Sequence, residues 1–341
     1  MPDYNIIDRT GASVLIPQER SKEIIEAIPE QSVAMRLMTK LPDMSSKTRS
    51  IPVTASLPHA EFVNGDTGLK PTTGMTWDNV ILTAEEIATI VVIPENVLDD
   101  SDYDIWANVF PRLVEAIGST FDKAVLFGTG KPATFPAGIV PGALAAGNAL
   151  SLDTAANLYQ QLLGEGGVAA MIEEDGFVPN GYVGAIPMRS KLRGAVDNNG
   201  LPIFGRIAYQ EGVGKKPRYE LDGSDIYFPN SDIMNAEEAL LIGGDWTKAV
   251  WAIRTDITTK LLTESVISDA SGKVLINLAQ QDSVALRVVF RAGWALPNPV
   301  NRVNADSSTR YPFAILAPAQ ESSGEETGGG DETGNGEGTG T

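Results

Sequence analysis

A chain of 341 residues, 43% of them hydrophobic, has room for one large domain of several parts or two ordinary ones. It has no cysteine and a single histidine, His59, which excludes disulfides and thiolate metal sites and leaves little for a His-based metal centre or a Ser–His–Asp relay. The formal charge is −18. Six of those charges sit in 319–341 without a compensating base, and the acidic body that remains is a poor match for nucleic-acid phosphates. An acidic wall beside a packed genome would repel it rather than adhere, although plain solubility explains the charge equally well. Residues 1–20 lack a basic start followed by an apolar run, so no secretion signal is expected. The longest apolar stretch, 87–94, is far shorter than the roughly 20 residues that span a bilayer. The chain reads as a soluble, intracellular product that meets no membrane.

In chain order, residues up to about 17 show no periodicity and read as an extended arm, followed by a short helix over 18–28 that Pro29 stops. The segment 45–93 reads as β-rich, with alternation from Arg49, turn residues between Asn64 and Gly74, and β-branched runs at 80–83 and 90–93. Two long strands around a polar tip predict a protruding hairpin that cannot hide both faces on its own domain. Ile105, Val109, Leu113, Ile117, Phe121 and Val125 then mark a long amphipathic helix ending at Gly128, with a kink or restart expected at Pro111. A Gly- and Pro-rich connector covers 129–147. From 151 to 246 helix and strand alternate: a helix over 154–163, a strand over 181–186, a looser stretch over 194–223, and an apolar run at 240–245. Short strands are predicted over 248–257, 274–278, 284–291 and 312–316. The tail, 319–341, has eight glycines and no capacity for a core, so it is expected to be disordered.

Motifs that would carry chemistry fail on inspection. Gly128 to Lys131 and Gly212 to Lys215 resemble the end of a phosphate-binding loop, but Val125 and Tyr209 stand where its first glycine belongs, and Pro132 and Lys216 where Ser or Thr belongs. Asp100, Asp102 and Asp104 imitate a calcium loop, yet Ile105 and Pro111 replace its glycine and terminal glutamate, so helix capping explains them better. The pairs Glu85–Glu86, Glu173–Glu174 and Glu237–Glu238 read as solvated surface, and His59 as a surface residue beside Pro58. No catalytic, cofactor-binding or metal residue is assigned, and no cofactor is expected.

Several segments carry more information together. Residues 16–32 (IPQERSKEIIEAIPEQS) run on to 36–39 (RLMT), 49–53 (RSIPV), 60–66 (AEFVNGD) and Lys70-Pro71. Then come 93–101 (IPENVLDDS), 126–130 (LFGTG), 136–139 (PAGI) and 285–296 (ALRVVFRAGWAL). In this order they resemble the major capsid proteins of tailed bacteriophages with the Hong Kong 97-type fold, over about residues 14–303. The resemblance implies an α+β fold with an N-terminal arm (1–45), an extended β-hairpin loop (46–93), a peripheral domain with a long spine helix (94–150 and 248–318), an axial domain (151–247) and the acidic tail (319–341). It implies a structural protein, not an enzyme, whose copies form pentamers and hexamers of an icosahedral head enclosing double-stranded DNA without sequence-specific binding. Portal and scaffolding proteins are the implied partners, and the implied location is the virion, after assembly in the host cytoplasm. The long N-terminal scaffolding segment of some relatives has no counterpart, so scaffolding would fall to a separate protein or to a segment outside this numbering. Some relatives cross-link a loop lysine to a neighbour's asparagine; Lys70 is present, but Asn298 and Asn301 are only nominal partners, and no cross-link is expected. An encapsulin-like nanocompartment shell shares the fold and is the nearest alternative; an acid/base hydrolase is a distant one.

Overall fold

The computed structural model describes residues 27–28, 31–63, 68–99, 105–195, 206–207, 218–229, 232–254, 258–269 and 271–319. Most of the helix predicted over 18–28, the aspartates at 100–104, the hairpin tip at 64–67 and the tail from 320 lie outside the described residues.

Helix α1 (Val33–Leu37) starts at Ser32, whose Oγ accepts the Met35 N–H at 3.0 Å, the usual role of an N-cap serine. A short strand β1 (Thr39–Lys40) follows. β2 (Thr48–Ser56) and β3 (Thr76–Thr83) form the expected antiparallel hairpin, paired from Thr48↔Thr83 to Thr54↔Trp77. Pro52 is tolerated because each strand of a two-stranded ribbon keeps one open edge. β4 (Glu85–Pro94) and α2 (Glu95–Asp99) come next, then α3 (Ile105–Leu126). Leu113, Ile117, Phe121 and Val125 of its predicted stripe are buried, while Ile105 and Val109 are half-buried. The helix runs on through Pro111, so the expected restart is absent. One lost backbone bond costs about 3 kcal/mol, and the stripe that continues in phase on both sides of Pro111 offsets it.

α4 (Ile139–Ala146) ends on Gly147 in the left-handed region, φ 88°, where glycine carries no Cβ penalty. After β5 (Ala149–Ser151) come α5 (Leu158–Leu163) and α6 (Val168–Glu174), so the helix predicted over 154–163 begins later, at its Asn157 cap. β6 (Gly181–Gly184) leads into α7 (Ile186–Gly194), and β7 (Arg206–Ile207), β8 (Arg218–Leu221), β9 (Ser224–Tyr227) and β10 (Leu241–Gly244) complete the region. The return carries six strands, β11 (Val250–Ile253), β12 (Thr258–Leu262), β13 (Val266–Ser268), β14 (Val274–Asn277), β15 (Ser283–Ala295) and β16 (Phe313–Ala317), with a 3-10 turn over Leu278–Gln280 before β15.

Two main sheets organise these elements. In the first, the 13-residue β15 pairs with β4 along one edge and with β12 and β11 along the other, and β1 adds in parallel to β11. The hairpin was expected to run to 93, but its pairing ends at Thr83; β4 leaves it and joins β15 instead. The near-continuous apolar sequence of β15 suits a strand flanked on both edges, and α3 packs against this sheet through Phe121, Leu286, Val288 and Phe290. The second sheet has seven strands in the order β5-β16-β10-β6-β9-β8-β7, with its own core around Val168, Ile172, Tyr182, Met188 and Leu241. Trp246 fastens the first core to this sheet: it is 1% exposed, its Nε1 donates to Gly181 O at 2.9 Å, and its ring meets Phe313 edge-on at 5.0 Å.

Candidate assembly interface

The hairpin's register sorts its side chains onto two faces. Ile51 and Val80 are paired, as are Arg49 and Leu82, and this face turns inward over Met44, Ala252 and Ala295. Contact at its root is close: a Cβ on Gly293 of β15 would stand 2.4 Å from Thr83 O, so only glycine lets β3 lie against β15 there. The other face carries Trp77 and Ile81, 65% and 63% exposed, and Phe62 and Leu69 beyond the paired strands are exposed almost completely. Scattered single apolar residues on a surface need no explanation, but four large ones on one projecting ribbon mark an interaction site.

Below its outer part the hairpin rests on the segment 298–311. Val300 N donates to Thr54 O at 3.0 Å, and Arg302 Nη2 to Pro58 O at 2.8 Å. That segment is held rigidly in turn. Asp175, at the end of α6, accepts from Asn148 Nδ2 (2.8 Å), Asn304 Nδ2 (2.7 Å) and the Tyr311 N–H (2.9 Å). Arg310 reaches Asn298 Oδ1 through Nε at 3.1 Å and Asn304 O through Nη1 at 3.0 Å.

A second buried carboxylate fixes the start of the described chain. Asp122 of α3 accepts from Ser32 Oγ at 2.5 Å, Val33 N at 2.9 Å and Ala34 N at 3.1 Å, so the spine helix supplies the anion at the N-terminus of α1. Burial pushes its carboxyl up to about 6, because three neutral donors do not fully replace the lost water. Arg36 of α1 lies over the Tyr227 ring at 5.1 Å and ties the same segment to β9.

Several of the residues weighed for chemistry have structural partners. Lys131 donates to Phe135 O at 3.3 Å in the turn after α3, with Gly128 at φ 70°; 212–215 and 100–104 lie outside the described residues. Glu85 meets Lys47 and Thr134 and ties the first sheet to its surroundings, while Glu86 meets its cross-strand neighbour Arg291 at 2.8 Å within that sheet. His59 is exposed beside Glu61, and Glu238 bonds Asn235. Glu173 and Glu174 are exposed at the end of α6. Lys70 is exposed, while the Asn298 amide donates to Arg310 O at 2.6 Å and the Asn301 amide to Asp175 O at 2.7 Å. Among the described residues no group of three or more His, Cys, Asp or Glu could hold a metal ion, and no helix is long and apolar enough to cross a membrane.

The chain is similar over most of its length to proteins of phage shells. The family described as "Phage capsid family" matches residues 12–301. The major capsid protein of Staphylococcus phage 80alpha is 24% identical over 292 residues, 85% of this chain and 83% of that protein. A solved structure from Microbacterium phage Oxtober96 is 35% identical, covers 84% of this chain and 91% of its own, and superposes with a TM-score of 0.71. One from Mycobacterium phage Cain is 28% identical with the same TM-score, covering 85% of this chain and 91% of its own. With a projecting apolar hairpin, a spine helix and two sheets in this arrangement, the chain belongs to the phage capsid family, as a shell-forming major capsid protein of the Hong Kong 97-type fold.

Proposed function

We propose that copies of this chain associate as pentamers and hexamers that close an icosahedral head around double-stranded DNA, and that the chain does no catalysis. The observation that carries this reading is the hairpin's outward face, with Trp77, Ile81, Phe62 and Leu69 exposed on a ribbon whose inner face is already occupied. In this reading 1–45 is the arm, 46–93 the extended-loop segment, whose hairpin up to Thr83 is laid on a neighbouring subunit while β4 returns to its own sheet, 94–150 and 248–318 the peripheral domain, and 151–247 the axial domain at the capsomer centre. The contacts are heterologous and close into rings, and many modest contacts per subunit make loss from a finished shell slow. Portal and scaffolding proteins complete the head in the host cytoplasm. Negative-stain micrographs of the purified protein, with its scaffold supplied, should show closed shells or capsomers. Stable monomers at every salt concentration would overturn the proposal.

No covalent cross-link joins these shells. Both nominal asparagine partners spend their amides inside the subunit, and Lys70 is exposed, without the desolvated setting that isopeptide formation needs. Boiled shells should run as a single monomer band on a denaturing gel, and a high-mass ladder would show the reverse.

A further inference from the structure

A second ribbon stands apart from both main sheets. β13 and β14 pair with each other alone among the described strands, from Val266↔Asn277 to Ser268↔Val274, with Leu275 as the extra residue of a bulge. Strand alternation sorts the side chains. Ile267 and Ile276 share one face and are half-buried. Val266 and Val274 lie on the other face, and with Leu275 they are 53%, 55% and 57% exposed. The ribbon is nevertheless fixed in place. Leu278, fully buried at its base, donates its N–H to Ser265 O at 3.0 Å, and Asp269 accepts the N–H groups of Ser271 and Lys273 at its turn, each at 2.9 Å. A two-stranded ribbon is marginal in water by itself, and three large apolar side chains uncovered on one mark a surface that something else covers.

Charge and position indicate what covers it. The chain carries −18, so its copies repel one another over most of their surface. The segment 258–277 sets Lys260 and Lys273 against Glu264 and Asp269 and is neutral. A neutral apolar patch attracts neither a polyanion nor a polycation, but it lets two copies of an acidic chain meet without like-charge repulsion. The ribbon leaves the first sheet beside the Leu262↔Ala285 pair, whereas the root of the β2–β3 hairpin lies at Gly293. Eight residues of β15, about 27 Å, separate the two points. The two exposed apolar ribbons therefore spring from opposite ends of one strand and serve different contacts. A hairpin contact that closes copies into a ring is used up within that ring. A closed shell needs a second contact, from ring to ring.

We propose that β13–β14 is that second contact, its exposed face meeting the same ribbon of copies in adjoining capsomers. The inference rests on the reading of hairpin-built pentamers and hexamers given above, and it assigns the joints between them to Val266, Val274 and Leu275.

The test uses the full chain with its scaffold supplied. Val266→Ser, Val274→Ser and Leu275→Ser combined should leave the melting temperature and the rings unchanged and raise the concentration needed for shells by about a hundredfold or more. Sedimentation velocity separates monomers, rings and shells. Shells at the wild-type concentration would show the ribbon to be idle, early melting would place it in the subunit's own core, and a halt at monomers would place it in the ring contact. Each of these overturns the proposal. Wild-type chains that yield neither rings nor shells would sink the ring reading itself, and this contact with it. A second measurement keeps assembly intact. The chain has no cysteine, so Val274→Cys supplies one thiol per copy. Treated with a short bis-maleimide, assembled shells should give chains linked in pairs on a denaturing gel, and rings separated beforehand should not. Unlinked chains from intact shells, or pairs from separated rings, would place the ribbon away from the joint between capsomers.

Discussion

Asp122→Ala should destabilise the subunit by about 3–5 kcal/mol. Truncation strands three donors at once, Ser32 Oγ, Val33 N and Ala34 N, in a region where Ser32, Ala34 and Asp122 are each 0% exposed. A buried donor left without an acceptor costs about 1–3 kcal/mol. Scanning calorimetry should show a fall in Tm of about 5–10 °C. A change below about 1 kcal/mol would mean that the segment around α1 is not held by this carboxylate. Asp122→Asn should fall between the two, because the amide oxygen still accepts while its nitrogen opposes one of the backbone donors.

The same side chain sets a pH dependence with a definite sign. The folded chain protonates Asp122 near 6 and the unfolded chain near 3.8, so between those values the folded state holds the extra proton. This group's contribution is therefore largest below 3.8 and is lost as pH rises through 6. The stability of the wild type relative to Asp122→Asn should rise as pH is lowered from 7 to 5. A flat difference over that window would place the carboxyl in water.

How far the fold was legible depends on whether a segment's partner lies nearby in sequence. The stripe of α3 and the ribbon of β2 and β3 could be read because helical period and alternation are local properties. The fate of β4 could not: its alternation resembles that of β3, and only β15, some two hundred residues later, decides that it leaves the hairpin at Ala84. Tertiary capping was equally hidden. Asp122 follows Phe121 in the helical pattern as any solvated polar residue would, and nothing local reveals that Ser32 lies 2.5 Å away. The Asp175 hub gathers Asn148, Asn301, Asn304 and Tyr311 from segments far apart in sequence.

Phe62→Ser, Leu69→Ser and Trp77→Ser combined should leave the subunit folded and stop shells from forming. Phe62 and Leu69 are exposed almost completely and Trp77 is 65% exposed, so each adds little to the subunit's own core, and surface changes of this kind shift stability within about 0.5 kcal/mol apiece. At a contact between copies the same side chains would be covered. Burying a large apolar side chain stabilises by about 1.5–3 kcal/mol, so losing three at every hairpin contact removes several kcal/mol per subunit. Every 1.4 kcal/mol is a factor of ten, which raises the concentration needed for assembly by about a thousandfold or more. The inner face supplies the control. Leu82→Ala empties a fully buried position under the hairpin root, and its expected loss of about 2–5 kcal/mol should appear as unfolding of the subunit itself. Static light scattering against circular-dichroism melting separates the two faces. If the triple variant melts early, the ribbon belongs to the subunit's own core; if it melts normally and still forms shells, the hairpin's outer face is not where copies meet.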